Sequence, residues 1–183
     1  MESLTRIQKT FDVFKVFAKI AMILSLVWGV LALLGAACGM VWKYGGTVIG
    51  ADLEVLQELT HTAALDEMIA RLFSDAVFAF TDLTLFGFAY AYFKQEQEDG
   101  TPFTQTGADA IKKLGVRIIV LPLVAIIIAQ VIFECFGVDT HENWGNGGSV
   151  MLGIMLILVS MVFQYGAELE IDEKHTTDKE IKD

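Results

Sequence analysis

The sequence predicts an all-α integral membrane protein: a bundle of four transmembrane helices with an amphipathic helical connection on its outer side. Of 183 residues, 54% are hydrophobic and only 20% are charged, whereas soluble domains carry about 25% charged residues. Several long stretches contain almost no charge, and each approaches the roughly 20 apolar residues that a membrane crossing needs. Lipid offers the backbone no hydrogen-bond partner, so each stretch is expected to be an α-helix.

The composition excludes several classes of protein. A net charge of −10 leaves no basic surface for direct nucleic-acid binding. Two cysteines are too few for a disulfide scaffold. The sequence has no phosphate-binding glycine loop and no nucleophile elbow, and it does not group serine, histidine and aspartate into a catalytic arrangement. We therefore expect a single transmembrane domain over residues 1–183 that is not an enzyme, with no catalytic residue and no cofactor.

Four crossings are predicted, at residues 20–42, 76–93, 118–138 and 150–167. The first is uncharged, the second is interrupted by Asp82, and the third has Glu134 near its end. The remaining segments are an outer connection at 43–75, an inner connection at 94–117 and a cytoplasmic tail at 168–183.

Lysine and arginine set the orientation of membrane helices, because cytoplasmic segments carry an excess of them. Of the 13 in this chain, only Lys43 and Arg71 fall in the outer connection. The others lie in the N-terminal segment, the inner connection and the tail: Arg6, Lys9, Lys15, Lys19, Lys94, Lys112, Lys113, Arg117, Lys174, Lys179 and Lys182. This pattern predicts a multi-pass protein with both termini in the cytoplasm.

A cleaved leader is the competing interpretation of the first crossing. Ala36-Ala37-Cys38 looks like a lipoprotein cleavage site, but Gly35 stands where a large aliphatic residue is normally found. The apolar stretch also continues through Trp42, which is too long for a typical signal core. We favour an uncleaved crossing.

The outer connection is predicted to contain helix between about residues 52 and 75, running into the second crossing. Gly45, Gly46 and Gly50 end the first helix, and Asp52 is placed to cap the next one. Apolar residues then recur at helical spacing, at Leu53, Leu56 and Leu59, with acidic residues between them. An apolar face of this kind packs on the outer ends of the bundle, which we favour, or lies in the headgroup layer.

The inner connection begins with a continuation of the second helix through residues 95–98, and Gly100 is placed to stop it. Pro102 disfavours helix at the preceding residue, and Thr104 or Thr106 can cap the helix that follows. That helix carries three cations, Lys112, Lys113 and Arg117. They either contact anionic lipid or act as topology determinants, and we favour the second role.

Short motifs in this region resemble a known family. They are Asp99-Gly100-Thr101-Pro102-Phe103-Thr104, the later Leu114-Gly115, and Gly166-Ala167-Glu168-Leu169-Glu170 after the last crossing. They resemble the bacterial membrane-protein family catalogued as domain of unknown function 2975, over about residues 10–175; the tail from residue 172 departs from its ending. The resemblance implies a four-helix protein of the bacterial plasma membrane with no agreed activity. It also implies a small helix-turn-helix regulator, encoded nearby, as a cytoplasmic partner, and it carries over no catalytic residue.

Asp82 is the candidate polar site within the membrane. An ionised side chain there costs roughly 2.5–3.5 kcal/mol by insertion measurements, so such residues usually face the bundle interior or a water-filled cavity. We expect Asp82 to face other helices, within reach of Gln130, Ser160, Gln164 or a threonine such as Thr84. It is then either a neutral acid that packs against a neighbouring helix, which we favour, or a proton- or ligand-responsive site.

Two residue pairs have structural alternatives. Gly35 and Gly39 have small-xxx-small spacing, which lets helix backbones approach closely, either within the bundle or in a homodimer. Cys38 and Cys135 are predicted at similar depth near the outer side. They either form a disulfide, if their Cα atoms come within about 7 Å, or remain buried thiols, which we favour slightly.

No metal site is expected. His61, Asp139, His141 and Glu142 are all predicted on the outer side, and histidines and carboxylates can bind zinc. Their spacing matches no zinc motif, and the segment around His141 is also typical of a solvated loop.

These observations favour a non-enzymatic sensor, regulatory or accessory component of the membrane, with the bilayer, a second copy of the chain and a cytoplasmic regulator as candidate partners. The alternative is a small transporter or immunity-type protein that uses Asp82.

Overall fold

The computed structural model describes residues 2–46, 53–61, 64–99, 105–139 and 147–180. Helices are the regular elements of this part of the chain, which contains no strand. There are five: α1 (Glu2–Lys43), α2 (Leu53–Thr60), α3 (Leu65–Asp99), α4 (Gln105–Cys135) and α5 (Gly147–Glu180). The prediction of an all-α protein is confirmed.

Four of these helices are long and apolar enough to cross a membrane. The segments that qualify are Asp12–Lys43, Leu65–Gln97, Thr106–Cys135 and Val150–Glu168. Their number agrees with the four predicted crossings, and each prediction overlaps one of them. The short helix α2 lies between the first two, and it and the start of α3 give the predicted outer connection its helical content.

Glycines end α1 and α4. Gly45 and Gly137 have φ angles of 79° and 67°, the left-handed conformation that glycine adopts without steric cost. After α4, the Val138 N–H donates to the Phe133 carbonyl at 3.1 Å and the Gly137 N–H to the Glu134 carbonyl at 3.0 Å. This pair of bonds is a Schellman motif. The helix α4 therefore ends at Cys135, three residues before Val138, to which the sequence predicted that it would run.

The polar ends of two helices extend beyond the predicted crossings. α3 continues to Asp99, as expected from the sequence. α5 continues to Glu180, so most of the predicted tail is helical. Glu170 and Lys174 have the i, i+4 spacing that favours helix outside the membrane.

The chain divides into two compact units, to which α1, α3 and α4 each contribute residues. The α2 unit comprises Ala21–Thr84 and Leu121–Gly145. The α5 unit comprises Met1–Ile20, Leu85–Val120 and Asn146–Asp183.

The core of the α2 unit is a contact between α1 and α3. Buried Ala32 and Ala36 of α1 pack against a buried stripe of α3, made of Met68, Ile69, Leu72 and Ala76. A Cβ atom on Gly39 would lie 2.6 Å from Ile69 Cγ1, and one on Gly35 would lie 3.2 Å from Leu72 Cδ1. The face formed by Gly35 and Gly39 therefore packs on α3 of the same chain. Of the two alternatives, packing within the bundle or in a homodimer, this is the first.

The helix α2 covers this core through part of its apolar face. Leu53 and Leu56 pack against the cluster, and Leu56 Cδ2 would lie 3.4 Å from a Cβ on Gly35. Leu59 points away and is 67% exposed. The predicted helix in the outer connection is confirmed, while its proposed cap Asp52 lies outside the described residues.

The core of the α5 unit joins α3, α4 and α5. Tyr92, Ile111 and Leu114 are buried there, with Leu156 and Phe163 of α5 packed against them. α4 and α5 approach each other closely at Gly115 and Gly153. A Cβ atom on Gly115 would lie 2.9 Å from the Gly153 carbonyl oxygen, and one on Gly153 would lie 2.8 Å from that of Gly115.

Candidate functional site

A groove between α1 and α3 contains the residue that the sequence analysis singled out within the membrane. The groove lies within the α2 unit and has a volume of about 440 Å³. α1 contributes Leu24, Ser25 and Trp28, and α3 contributes Asp75, Phe78, Ala79 and Asp82.

Helical periodicity places these side chains together. On α3, Asp75, Phe78 and Asp82 are separated by three and four residues, so they share one face. On α1, Trp28 lies one turn after Leu24. The two helices come close beside the groove, where a Cβ on Gly29 would lie 3.2 Å from the Ala79 Cβ.

The groove combines acidic, hydroxyl and aromatic groups. Asp82 and Trp28 are exposed, and Asp75, Phe78 and Ser25 are half-buried. Among the described residues that line it, none is a lysine, arginine or histidine. Carboxylates next to aromatic faces suit a cationic ligand, because both attract positive charge.

Asp82 is exposed rather than buried among other helices as predicted, and it lines the groove between α1 and α3. The buried stripe of α3 passes through Leu72, Ala76 and Ala79. Asp82 follows Ala79 by three residues, which at 3.6 residues per turn sets the two side chains about 60° apart around the helix. Its polar neighbours in the groove are Ser25 and Asp75.

The partners predicted for Asp82 do not line this groove. Gln130 and Gln164 are exposed on their own helices. Ser160 is buried and donates to the Ile157 carbonyl at 2.6 Å, and Thr84 donates to the Phe80 carbonyl at 2.8 Å. Hydroxyl groups in these helices thus bond to their own backbone, a local alternative that sequence spacing does not reveal.

Both cysteines are free thiols in this structure. Cys135 is exposed, so the expectation of two buried thiols is wrong for it, whereas Cys38 is half-buried. Cys135 is the last residue of α4, where the helix gives way to the glycine turn.

Other candidate residues fall partly outside the described chain. The family-like residues Gly100, Pro102, Phe103 and Thr104 lie outside it, as do His141 and Glu142. Within the described ranges, no group of three or more histidine, cysteine, aspartate or glutamate side chains is placed to hold a metal ion.

Two acids were not among the predicted site residues. Asp75 was assigned to the end of the outer connection, although its spacing of seven residues from Asp82 would have placed both on one helical face. Glu96 was assigned to the continuation of the second helix into the inner connection, but its side chain is buried, at 1% exposure. Tyr92 lies four residues before Glu96. This spacing between an aromatic residue and an acid is too common in helices to have indicated that Glu96 is buried.

A contact between the N-terminal part of α1 and the C-terminal end of α3, within the α5 unit, was also not predicted. Lys15 donates to the side-chain oxygen of Gln97, and the Gln97 amide donates to Asp12 at 2.9 Å. The Phe14 and Phe93 rings stack beside them, with centroids 5.5 Å apart.

Comparison with known proteins gave no match to a family model, to a curated protein or to a solved structure.

Proposed function

We propose that this chain is a non-enzymatic sensor or regulatory component of the bacterial plasma membrane, with both termini in the cytoplasm. The acidic outer connection would detect a change outside, and α3 would carry it to the inner connection. The family resemblance adds a candidate cytoplasmic partner, a small helix-turn-helix regulator.

The observation that supports this proposal is the continuity of α3. It is one helix of 35 residues that begins beside α2 and ends in the polar residues before the inner connection. Its first turn is tied to the end of α1, because Lys43 Nζ lies 2.8 Å from Asp66 Oδ1. The same ammonium lies 5.3 Å from the centroid of the Phe136 ring, after α4. A stimulus that breaks this ion pair would act directly on α3.

The test places a fluorophore at the other end of α3. A single cysteine replaces the exposed Lys94, in a background with Cys38→Ala and Cys135→Ala, and the full chain is reconstituted in liposomes. Acid, Mg²⁺ and a cationic peptide are the stimuli. We expect at least one to change the emission, and we expect Asp66→Asn to produce that change without a stimulus.

The matched control is Asp139→Asn, which removes an exposed carboxylate after α4 that is not on α3. It should leave the resting emission unchanged. An Asp66→Asn variant with the same emission as the control, in the presence and absence of every stimulus, would reject the proposal.

The second candidate function is a small transporter or immunity-type protein, and the groove around Asp82 favours it. Two carboxylates and two aromatic rings line a groove within helices that are long enough to span the membrane. Liposomes containing the protein would then accumulate a lipophilic cation such as ethidium, and Asp82→Asn would abolish this while Asp139→Asn would not. Uptake equal to that of empty liposomes would reject this alternative.

A further inference from the structure

A second groove lies within the α5 unit, between the end of α3 and the start of α4. Its volume is about 440 Å³. The α3 side is formed by Phe88, Ala91, Tyr92 and Gln95, and the α4 side by residues between Thr106 and Arg117. It is therefore built where one candidate crossing ends, at Gln97, and the next begins, at Thr106. Because the two crossings are consecutive, the end of the first and the start of the second lie on the same side of the membrane. The groove is therefore at one membrane face.

Two cations of α4 line this groove. Lys113 and Arg117 are four residues apart, so they project from the same helical face. The Arg117 guanidinium carbon lies 3.7 Å from the centroid of the Phe88 ring. Stacking of this kind orients the planar guanidinium, whose donors match the geometry of a phosphate.

Neutral polar and apolar groups complete the groove. The Gln95 amide and the Thr106 hydroxyl can donate hydrogen bonds, while Ala91 and Leu114 supply apolar wall. One carboxylate, Asp109, also lines it, so two cations stand against one acid. Lys112 does not line the groove and is exposed on α4.

We propose that this groove binds the phosphodiester headgroup of an anionic lipid, with Arg117 and Lys113 on the phosphate and the apolar wall against the first part of the acyl chains. Basic pockets between transmembrane helices at the cytoplasmic side recognise such headgroups. A free phosphate shares the same chemistry, but the position at the ends of two crossings and the apolar wall favour the lipid. This proposal does not depend on the sensor function.

The experiment measures lipid bound to the purified full chain by native mass spectrometry, with phosphatidylglycerol as probe and phosphatidylcholine as the neutral reference. The double variant Lys113→Gln/Arg117→Gln should lower phosphatidylglycerol binding by about tenfold or more, the factor that corresponds to one lost charge-assisted contact. The matched control Lys112→Gln should change it by less than about twofold, as expected for a solvent-exposed charge.

Two further variants separate lost binding from lost folding. Asp109→Asn removes the opposing carboxylate, so it should increase the binding of phosphatidylglycerol relative to phosphatidylcholine, the opposite of what loss of the groove would produce. Phe88→Leu removes the ring beneath Arg117 and keeps both cations, so it should weaken binding less than the double variant does.

Three outcomes would overturn the proposal. Equal losses in Lys112→Gln and the double variant would indicate diffuse surface charge. Equal binding of phosphatidylcholine and phosphatidylglycerol would show that the groove does not select a headgroup of net negative charge. Full displacement of the lipid by millimolar inorganic phosphate would assign the groove to a soluble anion.

Discussion

At the scale of single residues, glycines stand at close helix contacts in both units of this chain. Gly39 faces Ile69 in the α2 unit, and Gly115 faces Gly153 in the α5 unit. Lipid chains are as apolar as the side chains they surround, so membrane helices gain affinity for each other mainly by close packing. A side chain at these positions would separate the backbones and forfeit that packing.

Gly153→Ala should destabilise the protein. The added methyl group would collide with Ile119 and would lie 2.8 Å from the Gly115 carbonyl oxygen. Overpacking of this kind typically costs about 1–3 kcal/mol. The measurement is thermal unfolding in detergent followed by circular dichroism. Ala37→Val, which enlarges an exposed position on α1, is the control, and a Gly153→Ala midpoint no lower than that of the control would contradict the contact.

Part of this residue-level picture could be predicted from the sequence. The spacing of Gly35 and Gly39 indicated close packing, but spacing does not say which helix is the partner. Asp82 was found because a charge in an apolar stretch is conspicuous. Its exposure could not be predicted, because it depends on which face of α3 meets α1.

At the scale of elements, the sequence predicts the helices better than their ends. Apolar length predicted the four long helices, and the leucine spacing predicted α2. The end of α4 was misplaced because Val138 is as apolar as its neighbours, whereas the helix ends through the backbone conformation of Gly137. The extent of α5 was underestimated because hydropathy marks the membrane boundary and not the end of the helix.

The attachment of α2 to the α2 unit depends on one side of that short helix. Leu56→Ala should lower the free energy of unfolding by about 1–2 kcal/mol, less than for a fully buried leucine because Leu56 is half-buried. Leu59→Ala removes the same atoms from a 67% exposed side chain and should change it by less than about 0.5 kcal/mol. The two variants are compared by thermal unfolding. Equal effects would mean that α2 does not pack through Leu56.

At the scale of the whole molecule, the apolar surface and the charge pattern point to a membrane environment. Three of the four long helices, α1, α4 and α5, carry exposed large apolar side chains; on α5 these include Met151, Met155, Leu158 and Val162. In water such a surface would be an aggregation liability, whereas in a bilayer it faces acyl chains. The orientation is predicted from lysine and arginine alone.

Cysteine labelling tests that orientation. In a background with Cys38→Ala and Cys135→Ala, a membrane-impermeant maleimide added to intact cells should label Gly145→Cys and should not label Thr177→Cys. The predicted positions are outside and in the cytoplasm, respectively. Permeabilised cells, in which both sites should react, provide the control. Labelling of Thr177→Cys in intact cells would reverse or break the four-crossing topology.

The glycine-stopped ends of α1 and α4 have a consequence for the response of this protein to bilayer thickness. Gly45 and Gly137 fix where these helices end through backbone conformation, so neither helix can lengthen by winding in the residues that follow. A thicker or thinner bilayer must then be matched by a change in helix tilt or by deformation of the lipid. Between short-chain and long-chain lipids, the helical content of the protein should stay constant while the angle of its helices to the membrane normal changes.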